Sequence, residues 1–134
     1  MLLTLGMTAV LLLLMAVVVD VSKVVLAKRA LSSAADGAAV AAAQQADRAS
    51  IVEHGVGARL PLDPGGVASA VADYEDEARG EQPGLELAGS VDPDDPGTAV
   101  VQARRTVVLP FVGWLGVGRV TIMSTSRARS PVVP

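Results

Sequence analysis

The chain of 134 residues has the length of one small domain; 51% of its residues are hydrophobic, only 2% are aromatic and 19% are charged. Soluble domains carry about 25% charged residues, so this composition disfavours an ordinary soluble enzyme, a disordered segment and a nucleic-acid-binding protein. Cysteine is absent, which excludes disulfides, thiolate metal sites and a cysteine nucleophile. The net charge is −3, but residues 98–134 contain five Arg and no acidic residue. We expect this basic segment to face the acidic residues of 51–97 across one fold, the alternative being a dipolar surface for a charged partner.

The first nineteen residues contain no charged side chain. As a helix they extend about 28 Å, close to the hydrocarbon thickness of a bilayer. The apolar run is longer than the core of a cleaved signal peptide. The sequence therefore predicts a retained transmembrane anchor over 1–20. Asp20 closes it, and Lys23 follows one turn later; we expect an i,i+3 contact at the membrane interface, the alternative being a buried charge pair that fixes the register against another membrane helix.

Residues 21–49 predict a helical stalk that continues the anchor, because no strong helix breaker occurs in them. The stalk is rich in Ala, and its small side chains allow close approach of another backbone, within a bundle or against a sheet. We expect the anchor and this stripe to dock among other membrane helices. The stripe that we predict to form the helix-packing seam consists of Val24, Leu31, Ala35, Ala38 and Ala42.

The remaining sequence predicts a small α+β head over 50–126 and a loose tail over 127–134. The head has few large side chains, so we expect it to use the Ala-rich helix for its core. Its expected elements are, in chain order, a loop at 50–66, a helix at 67–79, a strand at 85–91, a turn at 92–97 and two alternating strands at 99–109 and 117–125. The alternative start of the helix is at 63–66, whose residues can also begin a helix.

The loop between the last two strands is apolar and contains Phe111 and Trp114, two of the three aromatic residues. We predict that both rings fill the end of a thin core made of Val and Ala. The alternative is an exposed apolar tip that contacts lipid or a partner subunit.

Polar side chains in the head lack the spacing of a catalytic or metal site. His54 is the only histidine, and we expect it to be a solvated loop residue. Asp92, Asp94 and Asp95 lack the Glu that an EF-hand places at position twelve, so they are typical of a turn. The acidic residues at 73 and 75–77 point in different directions on a helix. We therefore expect no catalytic residue, no metal and no cofactor.

The anchor and stalk resemble a known family. Asp20-Val21, Leu-Ala-Lys-Arg-Ala-Leu at 26–31 and Ala-Ala-Asp-Gly-Ala-Ala at 34–39 are similar to the N-terminal segment of TadE/TadG-like proteins, pilin-like accessory components of bacterial Flp (tight-adherence) pili. The resemblance covers about 8–45. It is carried most specifically by Ala35, Asp36, Ala38 and Ala39; the chain departs from the family pattern at 32–33 and at Gly37, where Ala is common.

The resemblance implies a pilin-like α+β fold, in which a long N-terminal transmembrane helix continues into the stalk and packs on a small antiparallel sheet. It also implies a non-enzymatic, single-pass protein of the bacterial plasma membrane, acting as a minor pilin-like or accessory subunit of a surface pilus or secretion apparatus. Its expected partners are the lipid bilayer and other pilus or membrane-helix subunits, with neither nucleic acid nor a small-molecule substrate. The alternative is a membrane-tethered exported binding module unrelated to pili.

The orientation of the chain is expected from the resemblance alone. Family members place the head outside the cytoplasm. The positive-inside rule, applied to Lys23, Lys28 and Arg29, favours the opposite orientation. We predict that the head lies outside.

Overall fold

The computed structural model describes residues 1–54, 61–111, 113, 116 and 118–130, without the side chains at 46, 47, 49–51, 53 and 54. The fold is α+β, with a long apolar helix and a three-stranded antiparallel sheet, as the sequence predicts. The described elements are helix α1 (Leu2–His54), helix α2 (Pro64–Ala78) and strands β1 (Leu85–Val91), β2 (Thr98–Val108) and β3 (Arg119–Arg129).

Helix α1 joins the predicted anchor and stalk in one element of 53 residues, which corresponds to about 80 Å at 1.5 Å per residue. It contains no proline, so each of its peptide groups can take part in the helical hydrogen-bond ladder. The helix continues to His54. The loop predicted to begin at 50 is wrong in this respect, and the histidine ends a helix instead of lying in a loop.

Helix α2 begins at Pro64, the alternative start that the sequence offers at 63–66, and its first turn is capped. The Asp63 carboxylate accepts a hydrogen bond from the Gly66 backbone N–H at 2.8 Å, and Pro64 occupies the first turn. Both are favourable helix-start features. The helix runs antiparallel to α1, since Val67 packs with Ala42 and Ala43 whereas Ala78 packs near Leu31.

The sheet has the order β1-β2-β3, and both neighbouring pairs are antiparallel. Strand β3 extends past the predicted end at 125, and Thr98 pairs with Arg129. The expectation of a loose tail from 127 is therefore wrong for residues 127–129. Ion pairs of Arg127 with Asp92 at 3.6 Å and of Arg129 with Asp95 at 3.4 Å hold this end of the strand.

The turn between β1 and β2 is built by aspartate side chains, as predicted. Asp92 accepts from the Asp94 N–H at 3.0 Å, and Asp95 accepts from the Gly97 N–H at 3.2 Å and from the Thr98 hydroxyl at 2.9 Å. These are local turn hydrogen bonds of the Asx type. Together with the ion pairs to β3, they give Asp92 and Asp95 partners within the fold.

Both helices cover one face of the sheet, and the core between them forms two clusters along α1. The N-terminal cluster surrounds Leu31, and the C-terminal cluster surrounds Ala38 and Val71. At the C-terminal cluster, β1 approaches α2 closely at Gly89, where an added Cβ would lie 2.6 Å from Val71 Cγ2. The buried members are, in the N-terminal cluster, Leu31, Ala34, Ala35, Leu85, Ala103 and Ile122, and in the C-terminal cluster, Ala38, Ala39, Ala42, Ala43, Leu62, Val67, Ala70, Val71, Ala99 and Val101.

Candidate functional site

The predicted packing seam lies between α1 and the head, by which we mean α2 and the three strands. Four seam residues have no exposed surface, and Val24 is partly buried against the N-terminal cluster. The stripe is therefore covered by the chain itself, so the interpretation that it docks among other membrane helices needs correction. The four fully buried residues are Leu31, Ala35, Ala38 and Ala42.

The family-like motif places one polar side chain at the edge of this interface. Ala35, Ala38 and Ala39 are fully buried, whereas the exposed Asp36 accepts a hydrogen bond from the Ser126 hydroxyl. One turn earlier, the hydroxyls of Ser32 and Ser124 lie 3.0 Å apart. Asp36 therefore links the stalk to β3.

Gly37, at which the chain departs from the family pattern, also has a packing role. A Cβ at this position would lie 3.0 Å from Tyr74 Cζ and closer still to its hydroxyl oxygen. Tyr74 itself packs against the C-terminal cluster. Glycine in α1 thus makes room for the largest side chain that α2 brings to the core.

Among the described residues, the head does not cover the N-terminal third of α1. Every large apolar side chain from Met1 to Val19 is at least 42% exposed, far more apolar surface than soluble proteins present to water. The polar side chains in this stretch bond within the helix; the Thr8 hydroxyl, for example, donates to the Thr4 carbonyl at 2.8 Å. By length and composition, α1 can cross a membrane.

The boundary of the anchor is marked by a buried carboxylate. Asp20 is 3% exposed, although Val19 and Val21 beside it are 43% and 56% exposed. Ala16 and Val24, one turn to either side of it, are partly buried. The covered face of α1 therefore begins inside the apolar segment. Lys23 is exposed, so the two members of the predicted charge pair have different surroundings, and the pairing stays a prediction.

The apolar loop after β2 differs from its prediction. Leu109 is 8% exposed, but Phe111 is 48% exposed. The prediction that the Phe111 ring fills the core is therefore wrong. Trp114 lies outside the described residues.

The residues that the structure describes include few candidate groups for catalysis or metal binding. They contain no group of three His, Asp or Glu side chains that could hold a metal ion, and the side chain of His54 lies outside them. Of the acidic residues of α2, Glu75 forms an ion pair with Arg79 and accepts a hydrogen bond from the Leu87 N–H at 2.8 Å. This carboxylate therefore joins α2 to β1.

These features define a class: a protein with one apolar helix suited to membrane anchoring, whose continuation forms part of the core of a small α+β head. Residues 1–45 match the sequence model of a family described as putative Flp pilus-assembly TadE/G-like. The match covers the anchor and the stalk as far as Gln45 and confirms the resemblance predicted from the motif. No curated protein and no solved structure matches the chain.

Proposed function

We propose that this protein is a non-enzymatic accessory or minor pilin-like subunit of an Flp-type pilus apparatus, anchored in the bacterial plasma membrane with its head outside. The observation that carries the proposal is the family match over residues 1–45, the segment in which an exposed apolar helix becomes the core helix of the head. In this role the chain binds other subunits and performs no reaction.

We expect the subunit contacts to lie on a face of α1 that the head does not cover. The covered face of the helix includes Asp20, Val24 and Leu31. At 100° per residue, a second apolar stripe lies about 120° around the helix from that face and continues past Asp20. Its members recur at intervals of three and four residues, the spacing by which membrane helices pack side by side. They are Met7, Leu11, Leu14, Val18, Val21 and Val25, each at least 45% exposed.

Deletion of the gene in its native host tests this function. We expect loss of surface pili, measured as major pilin in the sheared cell-surface fraction, and recovery with the full chain. Unchanged pili in the deletion strain would contradict the proposal and favour the tethered binding module.

A pair of complementing variants tests the contact face. Val25 belongs to the open stripe and is 45% exposed, whereas Leu26 is 64% exposed and points about 100° away. We expect Val25→Asp to reduce surface pili several-fold and Leu26→Asp, at the same depth, to leave them near the wild-type level. Equal effects of the two variants would remove this stripe from the proposal.

A further inference from the structure

The geometry points to a second membrane contact: we propose that the β2–β3 hairpin tip (Val108, Pro110 and Phe111) enters the lipid interface beside the anchor. This inference rests on α1 spanning a bilayer, as does the proposed function. It adds that the head contacts the membrane surface through this tip.

The direction of β3 fixes which end of the head faces the membrane. Ser124 and Ser126 meet Ser32 and Asp36 in that order, so β3 runs in the same direction as α1. The β2–β3 turn therefore lies at the anchor end of the sheet. The acidic β1–β2 turn lies at the far end, where Asp92 and Asp95 pair with arginines of β3.

The depth of the tip follows from the rise per residue. The hydroxyls of Ser32 and Ser124 lie 3.0 Å apart. Val120 lies four strand residues, about 13 Å, nearer the tip, and therefore near the level of Val24, against whose cluster it packs. Val107 is its partner across the sheet. Two strand residues extend about 7 Å, equivalent to between four and five helix residues. Leu109, whose N–H donates to the Gly118 carbonyl at 3.0 Å, therefore lies near the level of Asp20. Phe111 follows in the turn beyond Leu109, on the side of the apolar anchor.

The chemistry of the tip suits this level. Val108 is 64% and Phe111 is 48% exposed, and residues 109–118 contain no charged or hydrogen-bonding side chain apart from one Trp. Arg119, exposed and paired with Val108 across the sheet, can reach lipid phosphates from the base of the tip. At a bilayer interface, apolar side chains enter the hydrocarbon while a cationic side chain beside them stays at the level of the headgroups. Lipid is the favoured occupant because the tip lies beside a helix suited to span the same bilayer.

Site-directed spin labelling of the full chain in phosphatidylethanolamine–phosphatidylglycerol vesicles tests the proposal. The chain has no Cys, so Phe111→Cys, Val108→Cys and Met123→Cys each carry a nitroxide at one site. Met123 is the matched control, because it is 62% exposed on the strand that leads away from the tip. Collision with oxygen, which concentrates in lipid, and with a water-soluble nickel complex measures the depth of each label.

We expect the label at 111 to collide several-fold less with nickel than the label at 123, with the label at 108 between them. Nickel collision at 111 and 108 as frequent as at 123 would overturn the proposal. Protection of 111 only after other pilus subunits are added would also overturn it, in favour of a protein partner. A label at Leu11→Cys separates the two claims: if 11 lies in lipid and 111 in water, the tip contact alone is wrong; if 11 also lies in water, the membrane anchor is wrong.

Discussion

Replacing Ala38 with leucine tests whether the Ala stripe is the core of the head. Ala38 has no exposed surface and lies in the C-terminal cluster with Val67 and Val71 of α2. Leucine adds three carbon atoms where helix and sheet already approach closely. Overpacking of this kind costs about 1–3 kcal/mol, and about 4–8 °C in Tm accompanies each kcal/mol for a domain of this size. We therefore expect Tm to fall by about 4–24 °C.

The assay is thermal unfolding of the full chain in lipid nanodiscs, followed by near-ultraviolet circular dichroism. This signal includes Tyr74, which packs against the same cluster, whereas the anchor contributes no aromatic ring. Ser33→Leu is the matched control, because Ser33 is exposed on the stalk and such changes stay within about 0.5 kcal/mol. Equal Tm values for the two variants would refute the stripe as a packed core.

Two further substitutions test the close contacts of the head. Gly89→Ala places a Cβ 2.6 Å from Val71 Cγ2, so we expect a loss of about 1–3 kcal/mol in the free energy of unfolding. Gly80→Ala, whose Cβ would meet only the Glu77 carbonyl oxygen at 3.9 Å, should have almost no effect; equal losses would contradict the close approach of α2 to β1. Asp36→Ala removes the acceptor of the Ser126 hydroxyl and should cost about 0.5–1.5 kcal/mol. Adding Ser126→Ala should then cost little more, and full additivity in this double-mutant cycle would show that the two side chains do not interact.

The regular elements could be predicted from the sequence because their periodicity is local. Alternation of polar and apolar residues in β2 and the Ala-rich stripe of α1 each reflect one covered face. The predicted end of β3 at 125 is too early, although the sequence contains a signal for the longer strand: Arg127 and Arg129 continue the outward positions, with Ala128 between them packed against the C-terminal cluster.

Other features could not be predicted because they depend on long-range contacts. Asp36 and Ser126 are 90 residues apart in sequence, and no local pattern pairs them. An apolar loop sequence is compatible with burial in a core and also with contact with a membrane, so it does not predict which of the two occurs. The exposure of Phe111 and the burial of Leu109 depend on how the hairpin packs against the rest of the fold.

The orientation of the head is the most direct test of the central claim, that α1 spans the plasma membrane and holds the head outside the cytoplasm. Protease is added to intact protoplasts, and the chain is followed with an antibody to the head; a cytoplasmic protein serves as the control for membrane integrity. If α1 spans the membrane with the head outside, the head is digested while the control remains intact. Protection of the head until the membrane is broken would contradict this orientation.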